Sequence, residues 1–195
     1  MLLADATGHG VQAALMTTAI HALYGPLKYS AAGCAATLGE LNRLYFESFA
    51  TLGVFFSAVA LEIDLGKRRI TFASAGHETQ FLVNAGKALE LYTPNRLVGI
   101  AADSVFVEDV VEMPDTGTIL LYSDGLSEAS NAAFEQFSVE RIKDLALEGS
   151  ARGLPRRILD AVDAHRAGHP FSDDLTMLVI SFKATRASNT VVTGM

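Results

Sequence analysis

Cysteine is almost absent: Cys34 is the single residue of its kind among 195. One thiol excludes an internal disulfide and any cysteine-based zinc site, and it fits a reducing, cytoplasmic compartment. Clustered positive charge is also scarce. The 15 Lys and Arg residues are outnumbered by 22 Asp and Glu, giving a net charge of -7. They adjoin one another only in Lys67-Arg68-Arg69 and Arg156-Arg157. The triplet follows Asp64-Leu65-Gly66 between two apolar runs, a pattern that predicts a solvated hairpin turn and not a nucleic-acid surface. Long apolar runs are missing too. The stretch around 54–61 falls far short of the roughly 20 residues that cross a bilayer, so no membrane insertion is expected. Met1-Leu2-Leu3-Ala4-Asp5 lacks a basic region and meets a carboxylate at once, unlike a signal peptide. Two catalytic patterns are absent as well. No Gly-x-Ser-x-Gly elbow occurs. His165 and His169 have the spacing of a zinc-binding helix, but Arg166-Ala167-Gly168 between them offers no glutamate base. A helix end closed by Gly168 and Pro170 accounts for that pair.

Half the residues are hydrophobic, 19% are charged, and the mean hydropathy is +0.28. Such a chain buries a full core, and its length suits one domain. Leu2-Leu3-Ala4 reads as a short strand, and Asp5 to Gly10 as a tight turn. A helix follows over 11–24 and is ended by Gly25-Pro26. Ser30 is placed to cap a second helix over 31–49, where Leu38, Leu41, Leu44, Tyr45 and Phe49 recur at helical spacing and Cys34 reads as a small core residue. The period then changes, and strands are predicted over 54–63, 69–74, 80–83, 88–92, 106–113 and 118–122. Helices return over 139–147 and 155–167, with Pro155 in a first turn and Gly168 as a C-terminal cap. A last strand spans 175–182. This order predicts an α+β fold, an antiparallel β-sandwich flanked by helices, over 1–183. Residues 184–195, small and polar, read as a flexible tail.

Asp5, Asp124 and Asp173 share one context, since each lies next to an apolar strand. Strand ends are held rigidly yet reach a rim where a site assembles from distant sequence. Three converging carboxylates raise one another's pKa and stay ionised together only beside cations. Carboxylate and water oxygens suit Mg²⁺ or Mn²⁺. Gly8, Gly10 and Gly125 let the backbone bend tightly beside these aspartates. Taken singly, each aspartate is also explained as a cap or a turn residue.

Four segments occur in fixed order: Asp5-Ala6-Thr7-Gly8-His9-Gly10-Val11-Gln12-Ala13-Ala14-Leu15, Ser74-Ala75-Gly76-His77, Leu120-Leu121-Tyr122-Ser123-Asp124-Gly125-Leu126-Ser127-Glu128-Ala129 and Asp173-Asp174-Leu175-Thr176. Together with Asn95-Arg96-Leu97-Val98-Gly99-Ile100, the chain resembles the SpoIIE/RsbU-like branch of the PPM-type, metal-dependent serine/threonine protein phosphatases. The resemblance implies a sandwich of two antiparallel sheets flanked by helices, with two Mn²⁺ or Mg²⁺ ions at one edge. It implies Asp5 as the carboxylate bridging both ions, the Ala6 carbonyl on one, and Asp124 and Asp173 on the other. Asp174 stands where relatives carry Asn or Asp, and reads as a partner of the ligands more than as a primary one. The implied reaction is hydrolysis of phosphoserine or phosphothreonine by an activated water, without a phosphoenzyme. His9 is a candidate general acid for the leaving oxygen, with a structural turn histidine as the alternative. His77 reads as a residue that shapes a loop near the site.

The implied partner is a phosphorylated protein, such as an anti-sigma-factor antagonist in bacterial signalling, with a homodimer as one option and no nucleic acid. One departure stands out. Family members carry an upstream Gly-Gly-Asp-x-x-Asp-like segment that supplies a further carboxylate and part of the sheet, whereas Met1 stands four residues before Asp5. The N-terminal strands are therefore expected to be missing, the chain being either a fragment or a shortened homologue. A non-catalytic, phosphatase-like binding module is the alternative function.

Overall fold

A computed structural model gives the fold and describes residues 1–8, 10–30 and 32–183. Eight strands form two antiparallel sheets. The first contains β1 (Leu2–Ala6), β2 (Phe56–Asp64), β3 (Arg69–Ala75) and β6 (Asp109–Glu112) in the order β1-β2-β3-β6. The second contains β4 (Gln80–Asn84), β5 (Lys87–Leu91), β7 (Thr116–Tyr122) and β8 (Met177–Lys183) in the order β5-β4-β7-β8. Helices α1 (Val11–Ser30) and α2 (Cys34–Phe49) lie on the first sheet's side, and α4 (Val139–Leu147) and α5 (Leu154–Arg166) on the second's. The one-turn α3 (Asp124–Ser127) follows β7 directly.

Side-chain alternation produces this layering. Successive strand residues point to opposite faces. In β3, Ala73 and Ala75 pack with Leu38, Leu41 and Tyr45 of α2, while Ile70 and Phe72 pack between the sheets. In β7, Ile119 and Leu121 fill the inter-sheet layer, while Leu120 and Tyr122 meet Ile142, Ile158 and Val162 of α4 and α5. The unbroken apolar run of β7 reflects burial on both faces.

Several boundaries differ from the sequence reading, each for a local reason. The first helix continues through Pro26 to Ser30. Proline deprives the Ala22 carbonyl of its helical partner, but Ala22 is exposed, and the buried Leu27 keeps the last turn packed. Ser30 thus belongs to α1, and Gly33, at φ 108°, precedes α2. The Glu108 carboxylate accepts a hydrogen bond from the Ala35 amide at 2.8 Å and so supplies the anion at the start of α2. Strand β6 is shorter than 106–113 because Phe106 turns into the core beneath α2. At the end of α5, Ala167 at φ 48° and Gly168 at φ 89° both take positive φ, so the expected glycine acts together with the residue before it. Cys34 is buried in the core. Residues 184–195, expected as a tail, lie outside the described residues.

Candidate active site

The mouth between the two sheets is where polar chemistry collects. In β1, Leu3 points into the inter-sheet layer, and period-2 alternation carries Asp5 to the same face. Asp5 is directly paired with Ser57 of β2. From the other sheet, β7 ends at Tyr122 and delivers Asp124 as the first residue of α3. Asp5, Ala6, Ser57, Leu97, Asp124 and Asp173 line one cleft of about 250 Å³.

The carboxylates there disturb one another. Burial first, then Asp124, Asp173 and Asp174, push the Asp5 carboxyl from 3.8 up to about 7. Asp5 and Asp124 are close enough to share a proton as a hydrogen bond. Asp124 Oδ1 is buried without a hydrogen-bond partner. Glu78 is raised as well, by burial and then by Asp124 and Glu128. Such a set carries unmet negative charge at one point, which is what a divalent cation neutralises. The residues therefore fit cations, with Asp5 and Asp124 as the nucleus of the donor set.

The remaining expected residues have looser positions. Asp173 and Asp174 are exposed and precede β8, which begins at Met177 and not at Leu175. Asp173 Oδ1 accepts a hydrogen bond from the Asp174 amide at 2.7 Å. Among the described residues, no three His, Cys, Asp or Glu side chains are gathered closely enough to hold an ion as they stand. Ala6 contributes to the cleft wall at the end of β1. His9 lies outside the described residues. His165 and His169 sit elsewhere: His165 is 2.6 Å from an Arg141 nitrogen, and its ring packs edge-on to Phe137.

Three polar residues to which the sequence assigns no role of their own organise the site. Ser123, 2% exposed, ties the loop before β8 to the end of β7. Its amide donates to the Thr176 carbonyl at 3.0 Å, and its Oγ accepts from the Thr176 amide at 3.1 Å. Gln80, fully buried, extends the ladder between β4 and β7 with its side chain. Its Oε1 accepts from the Tyr122 amide at 2.7 Å, and its Nε2 donates to the Glu78 carbonyl at 2.7 Å. Ser57 Oγ is 2.7 Å from His77 Nδ1. His77 is held at a pKa of about 4, mainly by burial, with Asp124 and the Tyr122 carbonyl opposing, so the ring is neutral at physiological pH. The loop beyond β5 is anchored too. Asn95 donates to the Ser74 carbonyl at 2.8 Å, and the Leu97 side chain lies against Gly76, at φ 58°.

Comparison with known proteins places this geometry in context. The family model described as stage II sporulation protein E (SpoIIE) matches residues 1–183. The chain is 24% identical over 187 residues to the phosphoserine phosphatase RsbP of Bacillus subtilis (strain 168), covering 94% of this chain and 45% of RsbP. It is 24% identical over 185 residues to the phosphoserine phosphatase RsbU of the same organism, covering 93% of this chain and 55% of RsbU. The chain thus spans about half the length of these curated relatives. Among solved structures, the SiaA-PP2C domain of Pseudomonas aeruginosa superposes with a TM-score of 0.83 at 24% identity, over 93% of this chain and 75% of that one. The catalytic domain of the serine/threonine protein phosphatase PstP, solved with two manganese ions, gives a TM-score of 0.66 at 15% identity, over 92% of this chain and 85% of that one. Two antiparallel sheets flanked by helices are therefore the PP2C-type fold.

Proposed function

The chain belongs to the SpoIIE family, and from that premise we propose that it hydrolyses phosphoserine or phosphothreonine in a protein substrate, at the cleft between the two sheets and with two Mn²⁺ or Mg²⁺ ions. The observation that carries this reading is the convergence of Asp5 and Asp124, one from each sheet, at the cleft that Asp173 also lines. Asp5, Asp124 and Asp173 would hold the ions, with the Ala6 carbonyl beside them and Asp174 supporting Asp173. Bound there, the ions supply Lewis acidity that activates a water and offsets charge on the phosphoryl oxygens.

The protein's own contribution is placement. Asp5 is fixed by the β1–β2 ladder, and Asp124 by the junction of β7 and α3. Ser123 holds the Asp173 loop against that junction. Leu97 walls the cleft on the side of the loop after β5. The substrate class we favour is a phosphorylated anti-sigma-factor antagonist in bacterial signalling. Its support is the family resemblance and the likeness to RsbP and RsbU, both named phosphoserine phosphatases. No helix among the described residues is long and apolar enough to cross a membrane.

The test is Mn²⁺-dependent hydrolysis of p-nitrophenyl phosphate and of a phosphoserine protein by this chain and by Asp124→Asn. Turnover should fall by about 100-fold or more in the variant, because an unpaired ligand position weakens both ion binding and water activation. Equal, background-level turnover in both proteins would leave the non-catalytic binding module as the reading.

A further inference from the structure

A buried histidine stands beside the cleft without belonging to the carboxylate set. His77 is 4% exposed. Its Nδ1 is 2.7 Å from Ser57 Oγ, and its Nε2 is buried with no hydrogen-bond partner. The other polar groups acting on the ring are the Asp124 carboxylate and the Tyr122 carbonyl. Both are acceptors. A neutral imidazole carries one N–H, so with these neighbours the proton belongs on Nε2 and Nδ1 is bare. The short contact is then the Ser57 hydroxyl donating to Nδ1. Ser57 is also the directly opposed partner of Asp5, and directly opposed residues of an antiparallel pair present their side chains on the same face. A hydroxyl in that position would otherwise donate to the Asp5 carboxylate.

We infer that His77 is a positioning residue: by accepting the hydrogen bond of the Ser57 hydroxyl it keeps both Asp5 oxygens free for cations and turns the Ser57 lone pairs toward the cleft as a fixed acceptor for a water. This inference rests on the two-metal reading of the same cleft. It separates two effects within one hydrogen bond. Releasing the hydroxyl harms ion binding, because Asp5 gains an internal donor that competes with cations. Removing the hydroxyl spares ion binding and harms only the orientation of the water.

The experiment measures Mn²⁺ affinity by titration calorimetry or electron paramagnetic resonance, which needs no turnover, with melting curves for every variant. His77→Phe should lose about 10-fold or more in Mn²⁺ affinity. Adding Ser57→Ala to that variant should restore most of the loss, a recovery that a merely structural role of His77 would not give. His77→Asn, which keeps an acceptor for the hydroxyl, should bind Mn²⁺ better than His77→Phe. Ser57→Ala alone should bind Mn²⁺ like the parent, while kcat falls about 10-fold at unchanged KM. An unaltered affinity in His77→Phe, or a loss that Ser57→Ala leaves in place, would overturn the inference. Should His77→Phe fail to fold, an unaltered kcat in Ser57→Ala overturns it. A parent chain that binds no Mn²⁺ would defeat the metal reading itself, a result distinct from either.

Discussion

Gly125 packs on the main chain of Asp174: a Cβ at position 125 would stand 2.3 Å from the Asp174 carbonyl oxygen and 3.0 Å from its carbon. The residue after Asp124 is therefore small because another segment of the site lies on it. Gly125 and Ser123 flank Asp124, and both hold the loop that carries Asp173. Two carboxylates distant in sequence are thus placed relative to each other by the residues on either side of one of them.

Gly125→Ala should separate the loop from Asp124 without unfolding the domain. Gly125 lies in a helical turn, so alanine brings no backbone strain and the cost is steric. Backbone at Asp174 must give way, and that loop is exposed. A destabilisation of about 1–3 kcal/mol is expected, with a loss in Mn²⁺ affinity of about 10-fold or more. Calorimetric Mn²⁺ titration beside a urea melt checks both. Parent-like affinity would show that Asp173 does not depend on this packing.

The raised Asp5 carboxyl predicts a specific pH dependence for protein stripped of divalent ions. Its pKa is about 7 folded against 3.8 as the ordinary value. Between those limits the folded state binds the extra proton. The contribution is thus fully present below about pH 4 and is lost as pH rises through about 7. The melting temperature of the EDTA-treated protein, minus that of Asp5→Asn, should fall across this window. Mn²⁺ should raise the parent's melting temperature most at the upper end, where Asp5 is ionised. A difference that stays flat would mean that burial and the neighbouring Asp124 do not raise the Asp5 carboxyl as described. Asp64, Glu40 and Glu140 have lowered pKa values, so their contributions are lost only toward the acid end and do not mimic this slope.

Much of this architecture was legible because hydrophobic period and turn residues carry it. Val139–Leu147 has the same limits in sequence and structure, and Leu38, Leu41 and Tyr45, chosen by helical spacing, are fully or almost fully buried. Pro26 misled because proline's cost depends on whether the freed carbonyl meets water, which the sequence does not state. The aspartates were legible as strand-end carboxylates, and the motif order named their family. What escaped was the polar scaffolding. Ser57, Gln80 and Ser123 are single polar residues in or beside apolar strands, and their importance lies in partners many residues away. Gly125 reads from the sequence as a tight backbone bend beside Asp124, whereas its function in packing is to have no side chain.

Cys34 should be chemically silent in the native protein. Burial, then Glu108 and Glu62, push its thiol up to about 12, and Sγ donates to the Thr71 carbonyl at 3.3 Å. A thiol so placed has almost no thiolate at neutral pH and little access to reagents. Ellman's reagent at pH 8 is expected to label native protein at the rate of global unfolding and to label urea-unfolded protein at once. Rapid labelling of the native state would place Cys34 near an opening in the first sheet's helical layer.

Asn42 joins the helical layer to the loop that walls the cleft, and its removal should be felt in both stability and turnover. It is 1% exposed. Its Nδ2 donates to the Ala101 carbonyl at 2.9 Å, and its Oδ1 accepts from the Gly99 amide at 2.8 Å. Gly99, at φ 91°, cannot acquire a side chain in compensation, since a Cβ there would lie 2.8 Å from the Tyr45 ring. Asn42→Ala leaves the Gly99 amide unpaired, which costs about 1–3 kcal/mol, while the Ala101 carbonyl keeps its hydrogen bonds from the Ser104 amide and hydroxyl. The segment that continues back to Leu97 then loses its anchor on α2, and KM for a phosphoprotein should rise more than kcat falls, because Leu97 lines the cleft but has no group that could hold an ion or move a proton. Urea denaturation measures the first effect and steady-state kinetics the second. A destabilised variant with parent-like KM would mean that the Asn95 anchor on Ser74 alone positions Leu97.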